Sequence, residues 1–270
     1  MKKKNILWTI FAIAGIAAIV QSCHTVAVTG RKQLLLVNPQ ELNASSFQQY
    51  DQFLDQNKVS TNVSQTQMVK RCGKRIQQAV ERYMIQKGLS AQLEGYNWEF
   101  NLVDDPTVNA WCMPGGKVVF YTGIMPVCQN EEGLAVVMGH EIAHAIANHG
   151  GERMSNQMAV QGLLGAGSLS LAMKEKPSVM GNILLQAAGA GSQIGMLAFS
   201  RKHESEADKM GLIFMAMAGY NPRVAPGFWE RMSAGGGQAP PEFMSTHPSH
   251  DTRVNNLNKW MPEALEYYKK

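Results

Sequence analysis

The chain has 270 residues, 45% hydrophobic and 17% charged, with 25 glycines, 11 prolines and four cysteines. That apolar fraction fills a core and excludes wholesale disorder. Setting aside Lys2, Lys3 and Lys4, which lie in a leader-like segment, leaves 22 basic against 21 acidic side chains and no basic stripe, so a nucleic-acid-binding class is excluded.

Behind that basic head, Ile6 to Val20 is an uncharged apolar run of 15 residues. A spanning helix needs about 20, so the run suits a secretory signal better than a permanent anchor. Its exit, Val20-Gln21-Ser22-Cys23, resembles the lipobox of bacterial lipoproteins, where the cysteine becomes the lipidated first residue. Gln21 departs from the small residue usual in its slot, and an uncleaved anchor stays open as the alternative. In either case the body is expected outside the cytoplasm. His24, standing where an aspartate would favour inner-membrane retention, points to the outer membrane, facing the periplasm. Residues 1–22 are expected to be a lipoprotein signal peptide, 23–63 an N-terminal anchor arm and 64–265 the main domain.

With Cys23 acylated, Cys72, Cys112 and Cys128 remain, enough for at most one bridge. Whether Cys112 and Cys128 pair is not deducible from spacing, and without a CxxC a cysteine-based zinc site has no support. Gln33 to Val37 reads as a short strand after the Thr29-Gly30-Arg31 turn. Pro39 to Gln56 and Thr66 to Gln86 read as helices, the second with Met68, Cys72, Ile76, Ala79, Val80 and Tyr83 on one face. Tyr96 to Val103 and Lys117 to Tyr121 read as strands, with a turn at Pro114-Gly115-Gly116. From Asn130 onward the pattern is helical, with breaks expected at Gly150-Gly151, Pro177, Asn221-Pro222 and 233–241.

Pro177 to Ser200 holds 24 residues without a charge, long enough to raise a membrane span, but its Asn182, Gln186, Ser192, Gln193 and glycines favour close helix packing instead. Gly165-Ala166-Gly167 and Gly189-Ala190-Gly191 lack the strand and third glycine of a dinucleotide loop, and no GxxxxGK[ST] occurs. No nucleotide is expected. The fold class is α+β, predominantly α-helical.

The informative run is His140-Glu141-Ile142-Ala143-His144. Four residues apart on a helix, the two imidazoles project from one face, the spacing two ligands need to share one zinc ion. Glu141 stands beside them, placed to take a proton from a bound water. Asn130 can cap this helix, with Glu131 and Glu132 near its positive end. A catalytic zinc takes three protein ligands and one water. The metzincin spacing fails because 147 is Ala and 150 is Gly; His149 is misplaced for it and reads as a surface or helix-end residue. A thermolysin-spaced glutamate fails because Leu164 stands there. The best remaining candidate is Glu204 in His203-Glu204-Ser205-Glu206-Ala207-Asp208. Asp208 lies on the same face and can accept the outer N–H of a ligating histidine, whereas Glu206 points elsewhere.

HExxH followed by ExExD about 60 residues later resembles the gluzincin zinc metallopeptidases of the HtpX, BepA/LoiP and CAAX-prenyl-protease-I family. Val28-Thr29-Gly30-Arg31-Lys32-Gln33-Leu34 is similar to the arm of its secreted lipoprotein branch. Asn109-Ala110-Trp111-Cys112-Met113-Pro114-Gly115-Gly116 is similar to the family's segment before the active-site helix, with Trp111 and Cys112 replacing commoner Phe and Ala. Thr246-His247-Pro248, with Arg253 downstream, is similar to its C-terminal element. The likeness covers roughly residues 26 to 260; the multi-span helices of HtpX are missing.

The resemblance implies a zincin-like fold with a small antiparallel sheet and an HExxH active-site helix. It implies one zinc per subunit on His140, His144 and Glu204, with Glu141 as general base and Asp208 in support. The strand around Asn109 and Ala110 would be an edge that pairs with an extended peptide. His247 would stabilise the oxyanion or close the zinc as a fourth ligand. Arg253 would position substrate or brace Glu204 and Asp208. The implied activity is zinc-dependent endoproteolysis of unfolded or misassembled envelope proteins. The rival is a non-catalytic, metal-stabilised lipoprotein acting as a chaperone-like scaffold.

Overall fold

The computed structural model describes residues 23–164, 199–234, 242–247 and 252–268. The leader and most of the uncharged stretch 177–200, with the break expected at Pro177, lie outside the described residues. Among the described residues no helix is long and apolar enough to cross a membrane.

The chain enters through β1 (Cys23–Thr25) and β2 (Lys32–Leu34), an antiparallel pair turned at Gly30, whose φ of +70° suits glycine. Val26 is buried in the main core, so the arm is packed onto the body. Two helices follow. The Asn38 side chain caps α1 (Pro39–Gln56) by accepting from the Gln40 and Glu41 N–H groups, with Pro39 in the first turn. Asn62 likewise caps α2 (Val63–Gln86), which starts three residues before the expected Thr66.

Three strands form the second sheet: β3 (Glu99–Val103), β4 (Ala110–Met113) and β5 (Lys117–Tyr121), in the order β3-β5-β4. β4 and β5 make the expected antiparallel hairpin, whereas β3 runs parallel to β5. The sheet is therefore mixed. The 104–109 loop returns the chain antiparallel to β3 but one strand further out, and β5 fills the slot between them. Alternation of residue types sets which face is apolar but not this order. All five residues of β5 are buried. Val118 and Phe120 face the main core; Val119 and Tyr121 face a second cluster with Tyr50, Phe53 and Trp111.

The rest is helical: α3 (Met125–Cys128), α4 (Glu131–Ile146), α5 (His149–Leu164), α6 (Arg201–Met217), α7 (Ala225–Ala234), α8 (Glu242–Thr246) and α9 (Arg253–Tyr268). The break expected at Gly150-Gly151 falls at Ala147-Asn148 instead. Asn148 takes a left-handed φ of 53°, which asparagine tolerates, and α5 runs through both glycines. α4 is capped by Asn130, whose side chain accepts from the Gly133 N–H, with Glu131 and Glu132 in its first turn. α4 and α6 touch backbone to backbone: a Cβ on Gly139 would lie 2.8 Å from the Gly211 carbonyl oxygen, and one on Gly211 2.8 Å from Gly139 C. That contact sits one residue before His140 and three after Asp208, and it presses the two motif helices together.

Candidate metal centre

α4 presents His140 and His144, α6 presents Glu204, and His247 follows the end of α8; all four side chains are buried. Their donor atoms all lie within 4.8 Å of one another. His144 Nε2 is 3.1 Å from His140 Nε2, and His247 Nδ1 is 3.3 Å from the same atom. Glu204 Oε1 lies 3.3 Å from His144 Nε2 and 3.2 Å from His247 Nδ1, while Oε2 is 3.4 Å from His140 Nε2. A tetrahedral zinc with bonds of about 2.0–2.1 Å sets its donors about 3.3–3.4 Å apart, so these are the edges of such a polyhedron.

The outer atoms of both imidazoles say what belongs in the middle. His140 Nδ1 lies 2.9 Å from Asp208 Oδ1, and a proton held on that side by the carboxylate leaves Nε2 a bare lone pair. His144 Nδ1 meets His149 Nδ1 at 2.9 Å, and His149 Nε2 meets Glu206 Oε2 at 3.0 Å. Donation from His149 to the carboxylate makes its Nδ1 the acceptor, so His144 Nδ1 carries the proton and its Nε2 is also a lone pair. Two lone pairs and a carboxylate thus face one point in a dry interior, an arrangement that demands a cation. Burial works to discharge His140, but Asp208 and Glu204 outweigh it and hold its pKa up to about 9. Burial takes His144 well below the usual imidazole value. Burial also pushes Glu204 up, yet the imidazoles of His247, His140 and His144 prevail and hold it well below the carboxylate range. The donor set fits zinc.

Glu141 is buried beside this cluster and its Oε1 has no hydrogen-bond partner among the described residues. His247 Nε2 is 3.6 Å from that oxygen. Burial raises the Glu141 pKa against the pull of His247 and His140, while the Cys112 N–H supports its carboxylate. That N–H comes from the edge of β4 that no described strand pairs with. Tyr121 N–H donates to Asn109 O, so Asn109, Trp111 and Met113 bond to β5 while Ala110 and Cys112 turn their main-chain groups outward. Asn109 and Ala110 are themselves buried, and the Asn109 side chain accepts from the Ala110 N–H.

Arg253, at the start of α9, is only 1% exposed. Its Nε donates to Asp208 Oδ2 at 2.7 Å and its Nη2 to Glu204 Oε2 at 2.6 Å. Of the two roles left open for it, this geometry is that of the brace. Trp229 completes the support, with Arg253 4.0 Å from its ring and His140 packed edgewise at 5.1 Å. Cys112 and Cys128 are free thiols, as is Cys72.

Four contributors escaped the sequence reading. His149, read as a surface or helix-end residue, begins α5 but is fully buried. It answers no ligand spacing; five residues beyond His144, it reaches the ligand's outer nitrogen instead. Glu206 does face away from Glu204, toward His149. His203 is buried, stacked on His149 at 4.4 Å and 3.2 Å from Glu152 Oε2. Phe199 lies over His144, ring centroids 4.0 Å apart, and its N–H donates to Thr246 O. Nothing local in the sequence marks that ring.

Residues 71–261 match the model of Peptidase family M48. The mitochondrial metalloendopeptidase OMA1 of Schizosaccharomyces pombe is 41% identical over 171 residues, 62% of this chain and 48% of its own. Its Homo sapiens counterpart is 30% identical over 245 residues, 88% of this chain and 46% of its own. The beta-barrel assembly-enhancing protease of Escherichia coli is 32% identical over 178 residues, 63% of this chain and 36% of its own. The chain thus spans about half the length, or less, of the curated relatives it matches.

Proposed function

The chain belongs to peptidase family M48, and from that premise we propose that it is a zinc-dependent metalloendopeptidase that cleaves unfolded or misassembled cell-envelope proteins. The observation that carries the reading is the convergence of two lone-pair imidazoles and one carboxylate on a point flanked by the unpartnered Oε1 of Glu141.

His140, His144 and Glu204 would hold the ion. When bound, zinc supplies a Lewis acid that polarises a carbonyl and lowers the pKa of water from about 15.7 toward about 7. Glu141, its proton affinity raised by burial, takes the proton from the attacking water and returns it to the departing amine. Asp208 fixes the His140 tautomer, and Arg253 holds Asp208 and Glu204 in register. The open edge at Ala110 and Cys112 runs beside Glu141, where an extended peptide would gain main-chain hydrogen bonds. His247 occupies the fourth corner, Nδ1 inward. In this arrangement it closes the site, and turnover requires its ring to swing aside.

That fourth corner also favours the second reading, a metal-stabilised, chaperone-like scaffold with no turnover. The buried general base argues against it, because a purely structural site has no use for Glu141. The apolar leader and the lipobox-like exit support an extracytoplasmic lipoprotein anchored at Cys23 in the outer membrane, facing the periplasm. The beta-barrel assembly-enhancing protease among its relatives supports substrates of the envelope.

Purified protein should cleave an unfolded polypeptide such as casein, lose that activity to a chelator and regain it with zinc. Glu141→Gln should keep the metal and cleave nothing. Chelator-insensitive cleavage, or none by the zinc-loaded wild type, would contradict the peptidase assignment.

A further inference from the structure

We propose that the Thr29-Gly30-Arg31 turn of the N-terminal arm is a positioning element of the metal centre, aiming the His144 imidazole through Glu206 and His149. The inference rests on the zinc reading above and extends it to a segment that contributes no ligand.

The path is continuous. Arg31 Nε donates to Glu206 Oε2 at 2.6 Å, and Thr29 Oγ1 donates to Glu206 Oε1. Glu206 Oε2 receives His149 Nε2 at 3.0 Å, and His149 Nδ1 faces His144 Nδ1 at 2.9 Å. Both oxygens of Glu206 are thereby fixed, which fixes the plane of the acceptor His149 must meet. His149 is fully buried and stacked on His203, so its ring cannot swing to find another partner. Groups that orient a ligating histidine through its outer nitrogen typically change metal affinity by about 10–100-fold when removed. Among the described residues His144 has no carboxylate of its own behind it, unlike His140 with Asp208. Its outer shell is borrowed from the other end of the chain.

Arg31 has a second partner that provides the control. Its Nη1 and Nη2 donate to Glu152 Oε1 and Oε2 at 2.8 and 2.7 Å. Glu152 leads on to His203 Nε2 at 3.2 Å, which is not a ligand. One branch from Arg31 therefore reaches a ligand through hydrogen bonds alone, whereas the other meets the relay only where His203 stacks on His149. A turn that only fastened the arm to the body would use both branches alike.

The test is zinc affinity of the full-length chain in detergent, by competition with a chromophoric chelator, alongside the visible spectrum of the cobalt-substituted protein. Wild type should bind one zinc. Arg31→Ala should bind it about 10–100-fold more weakly with an altered cobalt spectrum. Glu152→Gln, which keeps the side chain's size beside His203 and leaves its stacking on His149 in place, should stay within about threefold of wild type with the native cobalt spectrum, because its branch passes no hydrogen bond to a ligand. If Arg31→Ala fails to fold by circular dichroism, the near-isosteric Thr29→Val replaces it. Thr29→Val should weaken zinc several-fold, and Thr29→Ser should restore it. Wild-type affinity and spectrum in Arg31→Ala, or in Thr29→Val where that stands in, would overturn the proposal, as would equal losses in Arg31→Ala and Glu152→Gln. A wild type that takes up no zinc would instead sink the metal-centre reading, and this proposal with it.

Discussion

The two ligand imidazoles sit one helical turn apart on α4, yet opposite ends of the chain hold them. His140 is backed by Asp208, which Arg253 of α9 grips together with Glu204, and Trp229 packs against both the ring and the guanidinium. His144 is backed by His149 and Glu206, and beyond them by Thr29 and Arg31 of the arm. On the first side a single carboxylate reaches the imidazole and the brace touches a ligand directly. On the second, two residues intervene between Arg31 and the ring. Outer-shell order at one site can thus be built compactly or relayed, and the compact side should be the costlier to break.

Removing an imidazole sets the upper limit. His144→Ala should lose the metal and all cleavage, read by elemental analysis and a peptide assay; retention of stoichiometric zinc would show that His144 is no ligand. Arg253→Ala comes next. It strands two buried carboxylates and should lower stability by about 3–5 kcal/mol, measured by denaturant unfolding. Arg31→Ala removes a guanidinium that still touches solvent and should cost clearly less; the reverse order would erase the contrast between the two sides. Gly139→Ala should act on both sides at once. Its methyl meets backbone at the α4–α6 contact, so the helices must part, at about 1–3 kcal/mol and with weaker zinc binding.

The smallest effect is one of pH. Burial raises the Glu152 carboxyl, but His203 and Arg31 outweigh it and bring it down to about 2 from the ordinary 4.5. A carboxylate depressed by folding lends stability that is present above about 4.5 and lost as pH falls toward about 2. Hydrogen exchange, corrected for its intrinsic pH dependence, should show the arm amides of residues 26–34 losing protection across that window before those of α4. Simultaneous loss would mean that arm and core open as one unit.

What the sequence made legible follows the same division. His140 and His144, and then Glu204 and Asp208, are each one helical turn apart, so one periodicity argument finds both ligand faces. β5 and the turn at Pro114-Gly115-Gly116 were equally plain, because a short apolar run and a glycine pair are local signals. The relayed side was not. Arg31 and Glu206 are 175 positions apart, and no periodicity links them. His149 matched no ligand spacing because it binds a ligand rather than the ion. The helix break moved from two glycines to Asn148, since glycine only permits a break while the left-handed asparagine makes one. The parallel partner of β5 depends on loop geometry that strand composition does not carry.

The central claim is that three side chains from α4 and α6 hold one ion, and zinc content of the wild type and of Glu204→Ala, each verified as folded, tests it most directly. One zinc per chain in the first and essentially none in the second is the expected result. A zinc-free wild type, or a Glu204→Ala protein that keeps its full complement, would contradict it.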